Sequence, residues 1–409
     1  MLLNISKNAA VFLRANPRKS SVINQLPSNF DDSDQVEGLD EEVTEGEVLT
    51  VRPWDPKHIR ITTKNFTVRE IFTQIVEGDL DLAPDFQRSF VWKIRQQIRL
   101  IESILLGIPL PAFYFNQDDV GAHQVIDGVQ RLTTIRLFMS DELKLEEEHM
   151  EYLKPLQGLC YSTLDPATRR RFSGTQIVAH VIEPQTPDEV KYDIFNRVNT
   201  GGTPLSPQEI RHCMSKDRSR SLLAILVENT NFDAATGYAF WAQGQDGSIH
   251  RDSRRMSDRE MALRFCAFRN FSIENYGQAA SLDSYLLEFT RRLDSHAVAD
   301  AEYDDLVSDF DQAMINSHEI LGSLAFRRYQ YNSSRRGPIN RAIFESQALA
   351  LADYSLEQLM PFRDQILMSF LELFDDPVYD NAVKSGTGDV LKIHRRLEMP
   401  RKVLEGIVR

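Results

Sequence analysis

Val125-Ile126-Asp127-Gly128-Val129-Gln130-Arg131 is the stretch on which the fold turns. An apolar run, His123-Gln-Val-Ile126, reads as a strand that ends at Ile126, and Leu132 to Met139 begins a helix. Gly128 sits between them, where a residue free to take positive φ permits a sharp turn and lets a ligand approach the backbone. A strand that turns directly into a helix presents free N–H groups at the helix N-terminus, which favour an anion. Arg131 falls in the first turn, with a guanidinium suited to phosphate or carboxylate. Asp127 is placed to hold a metal or accept a proton, and Gln130 to orient a water or a base. The same residues also read as an ordinary Asp-Gly turn with Arg131 in an ion pair, and the segment alone does not choose.

Working outward, the chain alternates strands and helices from about residue 60 to 215. Thr67 to Ile75 reads as a short helix. Ile94, Ile98, Ile101 and Leu105 share one helical face that stops at Gly107, and Pro109 and Pro111 block continuation. Ala112 to Phe115 and Ile177 to Ile182 read as strands. Thr186-Pro-Asp-Glu189 and Ser206-Pro-Gln-Glu209 each combine an N-cap hydroxyl, a proline at the first helical position and an acid at the third. Ser257-Asp-Arg-Glu260 and Ser355-Leu-Glu-Gln358 are further capping boxes in a region where strand signals are few. The expected architecture is an α/β domain over 56–215 and a mainly α-helical domain over 216–409. Residues 1–55 read as a poorly ordered acidic leader, too polar to bury surface that offsets chain entropy.

Composition bounds the rest. A chain of 409 residues with 42% hydrophobic and 26% charged residues is that of a folded globular protein. No run is long and apolar enough for a membrane span, and no secretory signal is read, so a cytoplasmic protein is expected. Cys160, Cys213 and Cys266 are far apart in the sequence and fit reduced thiols better than a disulfide framework or a zinc site. The net charge of −13 is uneven: Asp31 to Glu47 holds nine acidic residues and no basic one, and without that run the charge is −4. The run reads as a solubilising tail or as an arm that competes with nucleic acid for a basic groove.

Two further segments bear on the Asp-Gly turn. Asp85-Phe-Gln87-Arg88-Ser-Phe-Val-Trp92 alternates aromatic residues, which leaves Gln87 and Arg88 to face solvent or a ligand. Phe195-Asn-Arg-Val-Asn199-Thr-Gly201-Gly-Thr-Pro-Leu-Ser206 places two glycines after a helix, where they cap it or wrap a phosphate.

Taken in order, FQRSFVW, DGVQRLTTI and FNRVNTGGTPLSPQEI resemble the N-terminal domain of the GmrSD type of modification-dependent restriction proteins, a ParB/sulfiredoxin-like family. The intervening IESILLGIPLPAFYF and the later Arg254-to-Glu260 and Gly337-to-Phe344 stretches extend the resemblance over most of residues 65 to 350. It implies a ParB-like α/β domain and a nucleotide- or DNA-phosphate-binding role, as an NTPase or nuclease component of a phage-defence or restriction system. It also implies Asp127, Gln130 and Arg131 as the catalytic group, with Gln87, Arg88, Gly128, Asn199 and Gly201 holding the cofactor. A nucleoside triphosphate and a divalent metal, Mg or Mn, on Asp127 would be the cofactors. Arg131 and Arg88 would then hold phosphate while Asp127 positions metal or water, in the positioning-and-charge logic of phosphoryl transfer.

Two departures from the family pattern matter. Val129 stands where the family has the first Gln of its pair, which puts catalysis or ligand identity in doubt. No convincing equivalent of the His-containing nuclease domain that restriction members of the family often carry is read here, since His180 lies in the first domain and His394 has no partner at useful spacing. The alternative is therefore a non-catalytic DNA- or nucleotide-sensing module that acts with a partner nuclease, or with a second copy of itself; a purely structural partner protein is the third reading. Arg327, Arg328, Arg335 and Arg336 interleave with aromatics, Arg254 and Arg255 lie in a second basic cluster with Arg251 and Arg259, and Arg169 to Arg171 form a third. If these line one groove, DNA is the expected partner and binding should weaken steeply with salt.

Overall fold

Two faces of one mixed sheet, each buried under helices, organise the first half of the molecule. The computed structural model describes residues 58–82, 92–198, 205–243, 247–253, 255–279, 281–328 and 337–408. The chain enters through β1 (Ile61–Thr67), α1 (Val68–Glu77), β2 (Leu80–Asp81) and α2 (Ile94–Leu106). It continues through β3 (Phe113–Gln117), β4 (His123–Asp127), α3 (Val129–Met139), α4 (Pro166–Gly174) and β5 (Gln176–Ile182). The strand order is β1-β5-β3-β4-β2. β1 runs antiparallel to β5 and β3 antiparallel to β4, whereas β3 with β5 and β2 with β4 are parallel.

Strand alternation sends Phe113, Phe115, Val125 and Val181 to one face, where they pack with Ile98 and Ile101 of α2, Leu132 and Ile135 of α3 and Phe172 of α4. The opposite face carries Ile126 and Ile182. It is covered by Tyr192 and Phe195 of α5 (Asp188–Val198), Ile210 and Cys213 of α6 (Pro207–Met214), and Leu287 from much further along the chain. Each such side chain, fully buried, contributes about 1.5–3 kcal/mol.

The second half is helical. It comprises α7 (Asp217–Val227), α8 (Thr230–Thr236), a small hairpin of β6 (Trp241–Gln243) and β7 (Ile249–Arg251), α9 (Ser257–Arg269), α10 (Ile273–Gly277) and α11 (Leu282–Asp294). α12 (Asp300–Leu321), α13 (Arg341–Leu351), α14 (Leu356–Leu359), α15 (Arg363–Glu372), α16 (Pro377–Lys384) and α17 (Val390–Ile407) complete it. Phe310 of α12 meets Phe265 of α9 edge to face at 5.2 Å between centroids. The expected α/β half followed by a mainly helical half is what the chain forms.

A line of largely buried ion pairs runs through the helical half and reaches back to α6. Arg264 of α9 binds Glu260 at 2.6 Å and Glu345 of α13 at 2.9 Å, and Arg396 of α17 also engages Glu345. Glu345 and Arg396 are wholly buried. Arg211 of α6, 1% exposed, reaches Asp283 of α11 at 2.6 Å and lies 3.9 Å from Glu260. Burial opposes ionisation of Glu260, but Arg264, Arg341 and Arg211 around it together hold its carboxyl down at about 2.

Two of the four expected capping boxes form differently. Ser206 and Ser355 cap as read, each reciprocally with its third residue. Thr186 instead exchanges hydrogen bonds with the backbone of Arg60, which ties the entrance of β1 to the start of α5. Ser257 is the first residue of α9 rather than its cap; Met256 takes that place in the left-handed region, and Glu260 turns to the arginines instead. The leader, residues 1–55, lies outside the described residues.

Candidate functional site

The Asp-Gly turn is built by three local devices. The register of β4 against β3 slips between Tyr114 and Phe115, so that Tyr114 faces Asp127 and Phe115 faces Val125. Ile126 is thus the extra residue of a bulge, a device that re-aims the next side chain. Gly128 follows at φ 104°, and a Cβ there would come within 2.3 Å of Phe113 Cδ1. Both the backbone angle and the close approach demand glycine at this position. α3 then begins at Val129, which places Arg131 one turn from Asp127.

Arg131 and Asp127 form a 2.8 Å ion pair between Nη2 and Oδ2, with the arginine side chain 13% and the aspartate 32% exposed. The same guanidinium donates to the carbonyls of Pro111 and Ala112, and its Cζ lies over the Phe113 ring at 4.2 Å from the centroid. Burial pushes the Asp127 carboxyl above the usual carboxylate range, with Arg131 opposing but not cancelling the shift. Burial likewise lowers the affinity of Arg131 for its proton, against the pull of Asp127. The pair joins the ligand-facing and structural readings of the segment: the ion pair exists, and part of the carboxylate reaches solvent.

Gln130 has a different neighbour. Its Oε1 accepts from the backbone N–H of Trp92 at 3.4 Å, and Gln97 Nε2 donates to the Trp92 carbonyl at 2.9 Å. Leu82 and Trp92, which flank residues 83–91, both pack against the first core. Gln87 and Arg88 lie outside the described residues, as do Asn199, Gly201, Arg254, Arg335 and Arg336. Val129, the departure from the family pattern, packs against the first core, where an apolar side chain suits better than an amide.

Among the arginines expected to meet nucleic acid, Arg327 is 8% exposed and donates to the carbonyls of Gly337 and Thr236. Arg328 is paired with Asp380. Arg255 is 44% exposed at its side chain and binds Glu209 of α6 at 3.1 Å. Arg251 engages Asp233 and lies over Trp241 at 5.3 Å. Arg170 and Arg171 are exposed on α4. Arg327 and Arg328 thus hold the fold together around the Gly337 segment.

A metal at Asp127 would find one protein carboxylate there among the described residues. Among the described residues, the side chains whose ligand atoms converge on one point are Glu146, Glu148 and His149, elsewhere on the surface. A single carboxylate fits Mg²⁺ or Mn²⁺, which take most of their shell from water and phosphate oxygens, and does not fit a dedicated protein cage. Sequence reasoning missed Phe113, which reads as one more apolar strand residue. It also missed Glu345, although an acid inside the apolar run Ala342 to Leu351 was the available signal.

Residues 68–215 match the family described as GmrSD restriction endonuclease, N-terminal domain. This stretch of the chain is similar to a GmrSD N-terminal domain. The match begins at α1 and ends just past α6, so it takes in Asp127 to Arg131 and α6 but not the helical half. A solved Pnob8-like ParB-N domain is 10% identical, with 86% of this chain and 99% of that one covered, at a TM-score of 0.21. At that score the likeness carries no structural argument. No curated protein matches the chain. β1 and the cover supplied by Leu287 fall outside the matched stretch, yet both complete its sheet. Among the described residues, no helix is long and apolar enough to cross a membrane.

Proposed function

We propose that the GmrSD-like domain of this chain binds the phosphate groups of a nucleotide or of DNA at the Asp127 turn, as the nucleotide-hydrolysing or nucleolytic component of a restriction or phage-defence system. The observation that carries this reading is the Asp127 carboxylate. It is held by Arg131 at the start of a helix and remains one-third exposed, within the stretch that matches a restriction endonuclease domain. In the reading, Mg²⁺ or Mn²⁺ accompanies a nucleoside triphosphate and supplies charge neutralisation at its phosphates. Asp127 orients that assembly or an attacking water, the N-terminus of α3 favours the anionic groups, and Gln130 fixes the chain that returns at Trp92 beside it.

The second reading, a DNA- or nucleotide-sensing module without turnover that serves a partner nuclease, is favoured by the direction of the Arg131 donors. Both Nη atoms point at protein acceptors, so charge stabilisation of a reacting phosphate would fall to other groups. Phosphate release from each nucleoside triphosphate, with Mg²⁺ or Mn²⁺ and with or without DNA, separates the two. Turnover lost in Asp127→Asn while the circular dichroism spectrum is unchanged supports the hydrolase. Salt-sensitive binding of DNA or nucleotide with no release under any condition supports the sensing module. Neither binding nor release sinks both.

A further inference from the structure

Phe113 has contacts at this turn that no motif signals. Its ring lies against the Gly128 backbone so closely that any side chain at 128 would strike Cδ1 and Cε1. The same ring carries the Arg131 guanidinium. The two carbonyls that take Arg131 Nη1 and Nη2 belong to Pro111 and Ala112, the residues immediately before Phe113. One short stretch, 111–113, therefore holds the guanidinium carbon over its ring and fixes both terminal nitrogens, and the remaining bond of Nη2 goes to Asp127. A fork held over a ring and at both its ends is fixed with little freedom left to follow a ligand.

We propose that Phe113 is a positioning residue of the site, and that Arg131 acts through Asp127 rather than on phosphate itself. The proposal rests on the reading of Asp127 as the ligand-facing group. It reverses the role that the sequence assigns to Arg131, as holder of phosphate. The stack on Phe113 keeps the guanidinium inward, the guanidinium orients the carboxylate, and the carboxylate meets the ligand. Cation–π contact needs an aromatic face, so an aliphatic residue of similar bulk at 113 fills space without holding Arg131.

Arginine labelling with 2,3-butanedione, mapped by peptide mass spectrometry on the full chain, tests this without any turnover. In the wild type, Arg131 is expected to stay unlabelled while the exposed Arg170 and Arg171 react to completion, with or without MgATP. Phe113→Leu is expected to make Arg131 reactive, and Phe113→Tyr, which keeps the ring face, to leave it protected. Arg131 that labels in step with Arg170 in the wild type, and is shielded by MgATP, would show a direct phosphate ligand and overturn the proposal. Continued protection of Arg131 in Phe113→Leu would overturn the role of Phe113. Should Phe113→Leu fail to fold, the wild-type and Phe113→Tyr results still decide how Arg131 acts. Absence of nucleotide turnover in the wild type counts against the functional reading and leaves this result intact.

Discussion

At the residue scale, buried charge is the recurring theme, and its consequences differ with the partners supplied. Asp127 keeps one arginine and a path to solvent. Asp258, in the first turn of α9, is fully buried; its Oδ2 has no hydrogen-bond partner and lies 3.9 Å from Arg251 Nη1. Burial drives its carboxyl up to about 6, against the pull of Arg259 and Arg251. Because the folded state binds this proton more tightly than the unfolded chain, the stabilisation is complete below the ordinary carboxylate pKa. It is lost as pH rises through about 6. Asp258→Asn should therefore gain on the wild type in urea midpoint between pH 4 and pH 8, most of the change falling near pH 5 to 6. Parallel midpoints for the two proteins across that range would show that Asp258 titrates normally.

At the scale of elements, the sequence was most readable where one local rule acted alone. The apolar stripe of Ile94 to Leu105 and the stop at Gly107 produced α2, which ends at that glycine in the left-handed conformation. Ser206 and Ser355 capped their helices for the same reason. The reading ran out where tertiary partners outbid local ones. Thr186 found the Arg60 backbone, and Glu260 found three guanidiniums instead of its own helix end. β1 was not anticipated as a strand at all. Its residues Ile61 to Thr67 are mostly exposed on the sheet edge, so the sequence ITTKNFT lacks the apolar alternation that marks a half-buried strand. At the site, the turn and the position of Arg131 were legible, but the bulge at Ile126 and the Phe113 stack were not, because neither leaves a local pattern.

The ion pairs that join α9, α13 and α17 make a prediction at this scale. Glu345 serves both Arg264 and Arg396 from a fully buried position. Glu345→Gln keeps the shape of the side chain but leaves two guanidiniums without their shared counter-charge. A loss of about 3–5 kcal/mol in urea unfolding is expected, as for a broken buried ion pair. A loss below about 1 kcal/mol would mean that water replaces the carboxylate, and that the line of pairs contributes little to stability.

At the scale of the whole molecule, the matched domain and the helical half share a core. Leu287 of α11 packs with Ile126, Ile182 and Ile210, and Arg211 of α6 is bound by Asp283 of the same helix. The boundary near residue 215 that the sequence suggests by its change of pattern is crossed by apolar packing and by the ion pair of the buried Arg211 with the partly exposed Asp283. An event at the Asp127 turn is thus linked to the helices through the neighbouring Ile126 and through α6. Whether that turn binds phosphate at all is the central question. It is answered most directly by a crystal structure of the full chain with Mn²⁺ and a non-hydrolysable nucleoside triphosphate, with the metal located by its anomalous scattering. The account expects Mn²⁺ bound to the Asp127 carboxylate at about 2.2 Å, with phosphate oxygens completing its shell and Arg131 still on Phe113. Nucleotide and metal bound elsewhere, with Asp127 bonded to Arg131 alone, would contradict it.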